Sequence, residues 1–150
     1  MLKIGDLIPN NKFIDNQGNS HFFEDYRGSK IILFFYPRAN TPGCTAQACN
    51  LRDNYKSLIE KGYVVFGISG DNVSQQKKFS EKYSFQYLLI ADNEKKLINA
   101  FGVWGPKKFQ GREYEGIHRT TFLIDEKGVI TRVINKVKTK DHAIQILEEI

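Results

Sequence analysis

Residues 31–53 read IILFFYPRANTPGCTAQACNLRD, and the rest of the chain can be laid out from them. An unbroken apolar run, Ile31 to Tyr36, ends at Pro37. A run of that kind suits a strand covered on both faces, and a proline, which cannot donate to a ladder, ends it. A loop of small, polar and turn residues, Arg38 to Gly43, leads to Cys44, where a helix-forming stretch begins. Backbone N–H groups in the first turn of a helix lack intrahelical partners, and the helix dipole favours negative charge there. Cysteine thiols in such places ionise more readily, with pKa values falling from ~8.5 towards ~3.5–7.5 when a basic group is near. The other cysteine of the chain, Cys49, follows five residues later. On an intact helix that separation gives about 500° of rotation and ~7.5 Å of rise, so the two Cα atoms stand ~8.6 Å apart. A disulfide needs less than ~7 Å. Either the two cysteines never pair, or the start of the helix unwinds for them to do so.

Working outward, Phe13-Ile14 and His21-Phe22-Phe23, separated by a glycine-containing turn, read as a β-hairpin before the core strand of residues 30–36. After that strand, a helix is expected from about Cys44 to Lys61, with Leu51, Tyr55, Leu58 and Ile59 at helical spacing and Gly62 as its stop. Tyr63–Ser69 is a second buried strand, and Ser74–Tyr83 a polar helix with Phe79 and Tyr83 inward. Tyr87–Ala91 is a third strand, and Asp92 caps a helix that runs to about Phe101 with Leu97, Ile98 and Phe101 on one face. Residues 102–116 read as a long irregular stretch, a length that usually signals function. Thr120–Asp125 and Val129–Asn135 form a second hairpin, and a final helix, Asp141–Ile150, is expected to place Ile144, Leu147 and Ile150 inward. The β-α-β units call for parallel strands with right-handed crossovers, and the late hairpin adds antiparallel ones. The expected architecture is an α/β, thioredoxin-like sandwich with an N-terminal β-hairpin extension, a single domain over residues 1–150.

Composition narrows the function. Apolar content of 41% and charged content of 26% are those of an ordinary globular protein. No apolar run approaches the ~18–20 residues of a membrane span. The first ten residues, MLKIGDLIPN, lack the apolar core of a signal peptide, so a cytoplasmic location is expected, where thiols are kept reduced. Two cysteines in that setting point to catalysis or redox chemistry rather than a structural staple. The net charge of +5 is scattered in short pairs such as Lys77-Lys78 and Lys107-Lys108, not gathered in one stripe, so nucleic acid is not the expected partner. His21, His118, Cys44 and Cys49 do not have zinc spacing, and no metal is expected.

Pro37-x-x-x-Thr41-x-x-Cys44 resembles the active-site motif of the peroxiredoxins, and the wider stretch YPRANTPGCTAQAC resembles the bacterioferritin comigratory protein (PrxQ) subfamily. Residues 102–125, GVWGPKKFQGREYEGIHRTTFLID, are also similar to that subfamily, so the likeness covers essentially the whole chain. The resemblance implies a thiol peroxidase acting on hydrogen peroxide and organic hydroperoxides without a cofactor, in antioxidant defence. It implies that Cys44 is the peroxidatic cysteine and Cys49 the resolving one, joined in a transient Cys44–Cys49 disulfide. It assigns Thr41 to hydrogen bonding with peroxide and sulfur, Pro37 to shielding the pocket, and Arg119 to stabilising the thiolate. Thioredoxin or a similar dithiol is the implied reductant. A disulfide within one chain needs no partner subunit, so a monomer is expected. Gln47, about one turn from Cys44, stands outside this set, and His118 is not expected to act as a base because an ionised thiolate needs none.

Overall fold

The computed structural model describes residues 1–150. Its centre is a five-stranded sheet in the order β5-β4-β3-β8-β9. β3 (Lys30–Phe35) runs parallel to β4 (Tyr63–Ser69), which runs parallel to β5 (Leu88–Ala91). β8 (Thr120–Ile124) and β9 (Ile130–Ile134) complete the sheet as an antiparallel pair against the other side of β3. This is the thioredoxin-like arrangement expected, with β3 in the middle. Because successive side chains of a strand point to opposite faces, β3 feeds two cores at once. Ile31, Leu33 and Phe35 join a cluster with Phe23, Phe66, Phe101 and Phe122. Ile32, Phe34 and Tyr36 join a second with Cys44, Leu51, Phe79, Leu89 and Ile146. The first is covered by α4 (Lys96–Phe101) and the N-terminal segment, the second by α1 (Pro42–Asp53), α2 (Tyr55–Glu60), α3 (Val73–Tyr83) and α5 (His142–Glu148). The N-terminal extension is the expected hairpin, β1 (Lys12–Ile14) paired with β2 (Ser20–Phe22).

Three expectations are corrected. The helix expected from Cys44 to Lys61 is two helices, because Asn54 leaves helical geometry (φ −110°, ψ 15°) and its side chain donates to the Asn50 carbonyl at 2.9 Å. Asparagine competes with the helix in this way by bonding the local backbone itself. Residues 102–116 are largely not irregular: β6 (Trp104–Phe109) and β7 (Arg112–Ile117) form an antiparallel hairpin. Its two-residue turn, Gln110-Gly111, has both residues at positive φ (51° and 77°), the twist that suits a tight hairpin. Pro106 is tolerated because a two-stranded ribbon has only edges.

The third correction concerns the last helix. α5 buries His142, Ala143 and Ile146; of the three residues expected inward, Leu147 packs half-buried against the core, while Ile144 and Ile150 are exposed. Polar anchors set that face. Asn50 Oδ1 accepts from the Ala143 N–H at 2.8 Å, and Thr121 Oγ1 lies 2.8 Å from His142 Nε2. Gln145 fixes the tautomer of His142. Its Nε2 donates to the Lys136 carbonyl and its Oε1 accepts from the Lys138 N–H, so the His142 Nδ1 beside that oxygen carries the proton. Nε2 then accepts from the Thr121 hydroxyl, and the imidazole is neutral.

Burial pushes the His142 pKa down to about 4, and the nearby Arg119 charge acts in the same direction. An unfolded histidine titrates near ~6.5. Between those values the unfolded chain binds more protons than the folded one, so stability is complete above about pH 6.5 and is lost as pH falls towards about 4. A depression of that size is worth about 3 kcal/mol. Urea melts across this window should therefore show stability declining with acidity in the parent, and His142→Gln should flatten the decline. Equal slopes in the two proteins would remove His142 from the account.

Candidate active site

The site is built where β3 hands over to α1. Tyr36 is anchored by its hydroxyl, which donates to Gln76 at 2.6 Å. Pro37 follows, half-buried. The loop is then pinned from the outside: Ala39 N–H donates to Asp71 at 2.7 Å, and Asn40, in the left-handed region at φ 62°, accepts from Lys82 and Tyr83. Thr41 takes the N-cap position of α1, with Pro42 at the first helical position. An N-cap threonine ordinarily accepts from the backbone N–H of the second or third helical residue. Here those residues are Gly43 and Cys44, and Thr41 does not cap: its hydroxyl donates to the Arg38 carbonyl at 2.8 Å. The N–H groups of Gly43 and Cys44 bond no other protein group. Two donors are thus left without partners at the positive end of α1, in the turn that carries Cys44.

Cys44 is buried, at 1% exposure, and is a free thiol. Arg119, in the two-residue link between β7 and β8, reaches back across the sheet end. Its Nη2 stands 3.4 Å from Cys44 Sγ, and its Nη1 donates to Gln47 Oε1 at 2.7 Å. Gly43 makes room for that fork, since a Cβ there would stand 3.3 Å from Nη2. Gln47 is fully buried one turn along α1, and its Nε2 has no partner. The structure therefore brings Thr41, Cys44 and Arg119 together, with Pro37 at the mouth of the loop. It adds Gln47, which the sequence placed near Cys44 without giving it the task of holding Arg119. His118 is exposed, with its ring against Gly105, and Trp104 donates its indole N–H to Glu115 at 2.9 Å.

Cys49 lies five residues on, on the same continuous helix, half-buried and unpaired. Burial pushes its thiol pKa up, with Arg52 opposing and Asp53 adding to the rise. The two cysteines thus have opposite surroundings, one touching a guanidinium at a helix N-terminus and one held as a neutral thiol. No three His, Cys, Asp or Glu side chains are grouped so as to hold a metal ion, and no helix is long and apolar enough to cross a membrane.

The AhpC/TSA family profile matches residues 4–133. Peroxiredoxin Bcp of Bacillus subtilis is 42% identical over 98% of this chain and 94% of its own length. Peroxiredoxin Bcp of Escherichia coli K12 is 43% identical over 94% of this chain and 90% of its own. Among solved structures, Xylella fastidiosa PrxQ superposes with a TM-score of 0.93 at 27% identity, covering 99% of this chain and 95% of that one. Xanthomonas campestris bacterioferritin comigratory protein, a protein described by its alkyl peroxide reduction activity, gives 0.88 at 27%, covering 95% and 96%.

The contact between Arg119 and Cys44 predicts a rate effect. In a Cys49→Ser background, Arg119→Ala should slow the reaction of the protein with hydrogen peroxide about a hundredfold, read by stopped flow. Gln47→Ala should slow it less, since Gln47 acts only by holding the arginine. Equal rates in all three proteins would mean that the guanidinium does not serve the sulfur.

Proposed function

Because the chain belongs to the AhpC/TSA family and is a peroxiredoxin of the Bcp/PrxQ kind, hence a peroxidase, we propose that Cys44 is its peroxidatic cysteine and Cys49 its resolving cysteine within one domain. The observation that carries this reading is the buried Cys44 sulfur, 3.4 Å from Arg119 and beside two uncapped N–H groups. The Cys44 thiolate attacks the terminal oxygen of the peroxide. The S–O bond forms as the O–O bond breaks, and the leaving hydroxide or alkoxide takes the electron pair and then a proton from water. Cys44 is left as a sulfenic acid. Arg119 and the N–H groups of Gly43 and Cys44 oppose the charge on the thiolate and on the separating oxygens. The Thr41 hydroxyl, which donates to the Arg38 carbonyl instead of capping, keeps its lone pairs to accept from the peroxide, and Pro37 keeps water from the sulfur.

Resolution then requires α1 to open. The thiol of Cys49 attacks the sulfenic sulfur, water leaves, and the Cys44–Cys49 disulfide forms. The half of the helix holding Cys49 is bolted down. The Tyr87 hydroxyl donates to the Ala48 carbonyl at 2.6 Å, Asn50 bonds both Lys140 and Ala143, and Arg52 donates to the Tyr83 carbonyl at 2.9 Å. The half holding Cys44 is packed on the second core, and the side-chain hydrogen bonds of Cys44 and Gln47 run through Arg119. Unwinding is thereby confined to the first turns, and Cys44 travels towards Cys49. Thioredoxin or a similar dithiol reduces the disulfide by exchange, the chain acts as a monomer in the cytoplasm, and hydrogen peroxide and organic hydroperoxides are its substrates.

Titrating the reduced protein with peroxide, followed by thiol counting and intact mass, tests the cycle. Loss of two thiols and two hydrogens per chain without dimer is the expected result. Cys44→Ser should consume no peroxide. Cys49→Ser should react once and then stall with thioredoxin as the reductant. Normal turnover by the Cys49 variant would place resolution elsewhere.

A further inference from the structure

The loop between β3 and α1 meets α3 across a cavity of about 210 Å³, whose apolar lining is Ala39 and the buried Phe79. Arg38 of the loop and Lys78 and Lys82 of α3 also line it. The fold gathers here cations that are distant in sequence, and it sets the two lysines one turn apart on α3, where like charges repel. No ion pair of the protein includes any of the three. The one carboxylate in the lining, Asp71, is committed elsewhere: its Oδ2 accepts from the Ala39 N–H at 2.7 Å and from the Ser69 hydroxyl at 2.6 Å. Glu81, the acidic residue of α3, does not line the cavity. Lys82 Nζ reaches only the neutral Asn40 Oδ1, at 3.3 Å, and Lys78 and Arg38 are exposed. The cavity is polar, open to solvent and positively charged without a counter-charge.

It borders the segment that carries both cysteines. Arg38 and Asn40 belong to the loop that leads to Cys44, and the Arg38 carbonyl accepts from Thr41 at the head of α1. The end of α3 then reaches the second half of that helix. The Tyr83 hydroxyl donates to Asn40 at 3.3 Å, and the Tyr83 carbonyl accepts from Arg52 at 2.9 Å. Cys49 and Arg52 are three residues apart on one helix, hence neighbours on its surface, and Cys49 is half-buried. Arg52 is already paired with Asp53 at 3.0 Å, so the uncompensated charge of this flank lies in the cavity. A protein that brings a dithiol to a disulfide in α1 along this flank lays its surface over three unpaired cations.

We infer that this cavity is the docking point of the reductant, and that the reductant is a dithiol protein with aspartate or glutamate beside its redox site, one carboxylate of which enters between Arg38, Lys78 and Lys82. Charge and place select that occupant. Hydrogen peroxide is uncharged and gains nothing from the cations, whereas an acidic protein surface is steered and oriented by them. The inference rests on the reading of a Cys44–Cys49 disulfide recycled by a dithiol protein, and gives that step its surface.

The test uses the full chain with hydrogen peroxide as oxidant and two reductants, thioredoxin and the small uncharged dithiol dithiothreitol. Lys78→Glu should lower kcat/KM for thioredoxin about tenfold, mainly by raising KM, and Lys78→Ala about threefold. Lys78→Arg should behave as the parent. Turnover with dithiothreitol should be the same in all four proteins. Added salt should lower the thioredoxin kcat/KM of the parent and leave that of Lys78→Glu nearly flat. Thioredoxin kinetics of Lys78→Glu that match the parent overturn the inference. So does an equal loss with both reductants, which would mark a disturbed catalytic loop. A parent that dithiothreitol recycles and thioredoxin does not would instead overturn the reading of the reductant, and this inference with it.

Discussion

The 3.4 Å approach of the Arg119 guanidinium to the Cys44 sulfur depends on almost every long-range feature of the fold. The two residues are 75 positions apart. β3 delivers one and β8 the other, and because those strands pair antiparallel, with Phe35 opposite Thr120, the end of one lies against the start of the next. Gln47 then takes one arm of the arginine fork and leaves the other for sulfur. A lysine could not make that divided contact, since its charge is a point rather than a planar fork. On the same face of the sheet as Cys44, His142 is held neutral by Thr121 and Gln145. It therefore adds no second positive charge beside Arg119.

In the proposed two-cysteine cycle the same helix is rigid for the first chemical step and open for the second. A net hydrogen bond is worth only ~0.5–1.5 kcal/mol, so freeing the first turns of α1 costs a few kcal/mol. That falls within the range of local openings that folded proteins undergo without unfolding globally. What matters is where the opening stops. The Tyr87, Asn50 and Arg52 bonds cluster around Cys49, and the break at Asn54 separates α1 from α2, so strain in α1 is not passed on.

Much of this was legible in the sequence because it depends on local order. The apolar run of β3, the proline that ends it and the cysteine at a helix start are adjacent, and the resemblance then singled out Arg119. The β6–β7 hairpin was not legible. Its turn is Gln-Gly rather than Asn-Gly, and Pro106, Gly105 and Gly116 break the alternation that marks a strand. The inward face of α5 was read correctly at Leu147 and missed elsewhere for a different reason. Ile144 and Ile150 fit a helical stripe, yet polar anchors on His142 and Ala143 overrode the apolar pattern. Gln47 showed only its spacing from Cys44. Its partner lies on another element, and no local pattern encodes that meeting.

In the proposed cycle the two thiols divide their labour through environment rather than identity. Cys44 touches the Arg119 guanidinium and lies in the first turn of a helix, where positive charge and the helix dipole favour an anion. Cys49 lies where burial disfavours that charge, so in the closed helix it does not compete for peroxide. In the proposed cycle the bonds around Cys49 hold it in place while the first turns of α1 open, so Cys49 stays protected until Cys44 reaches it. A closer spacing such as Cys-x-x-Cys would allow pairing without unwinding, and would lose that coupling between geometry and reactivity.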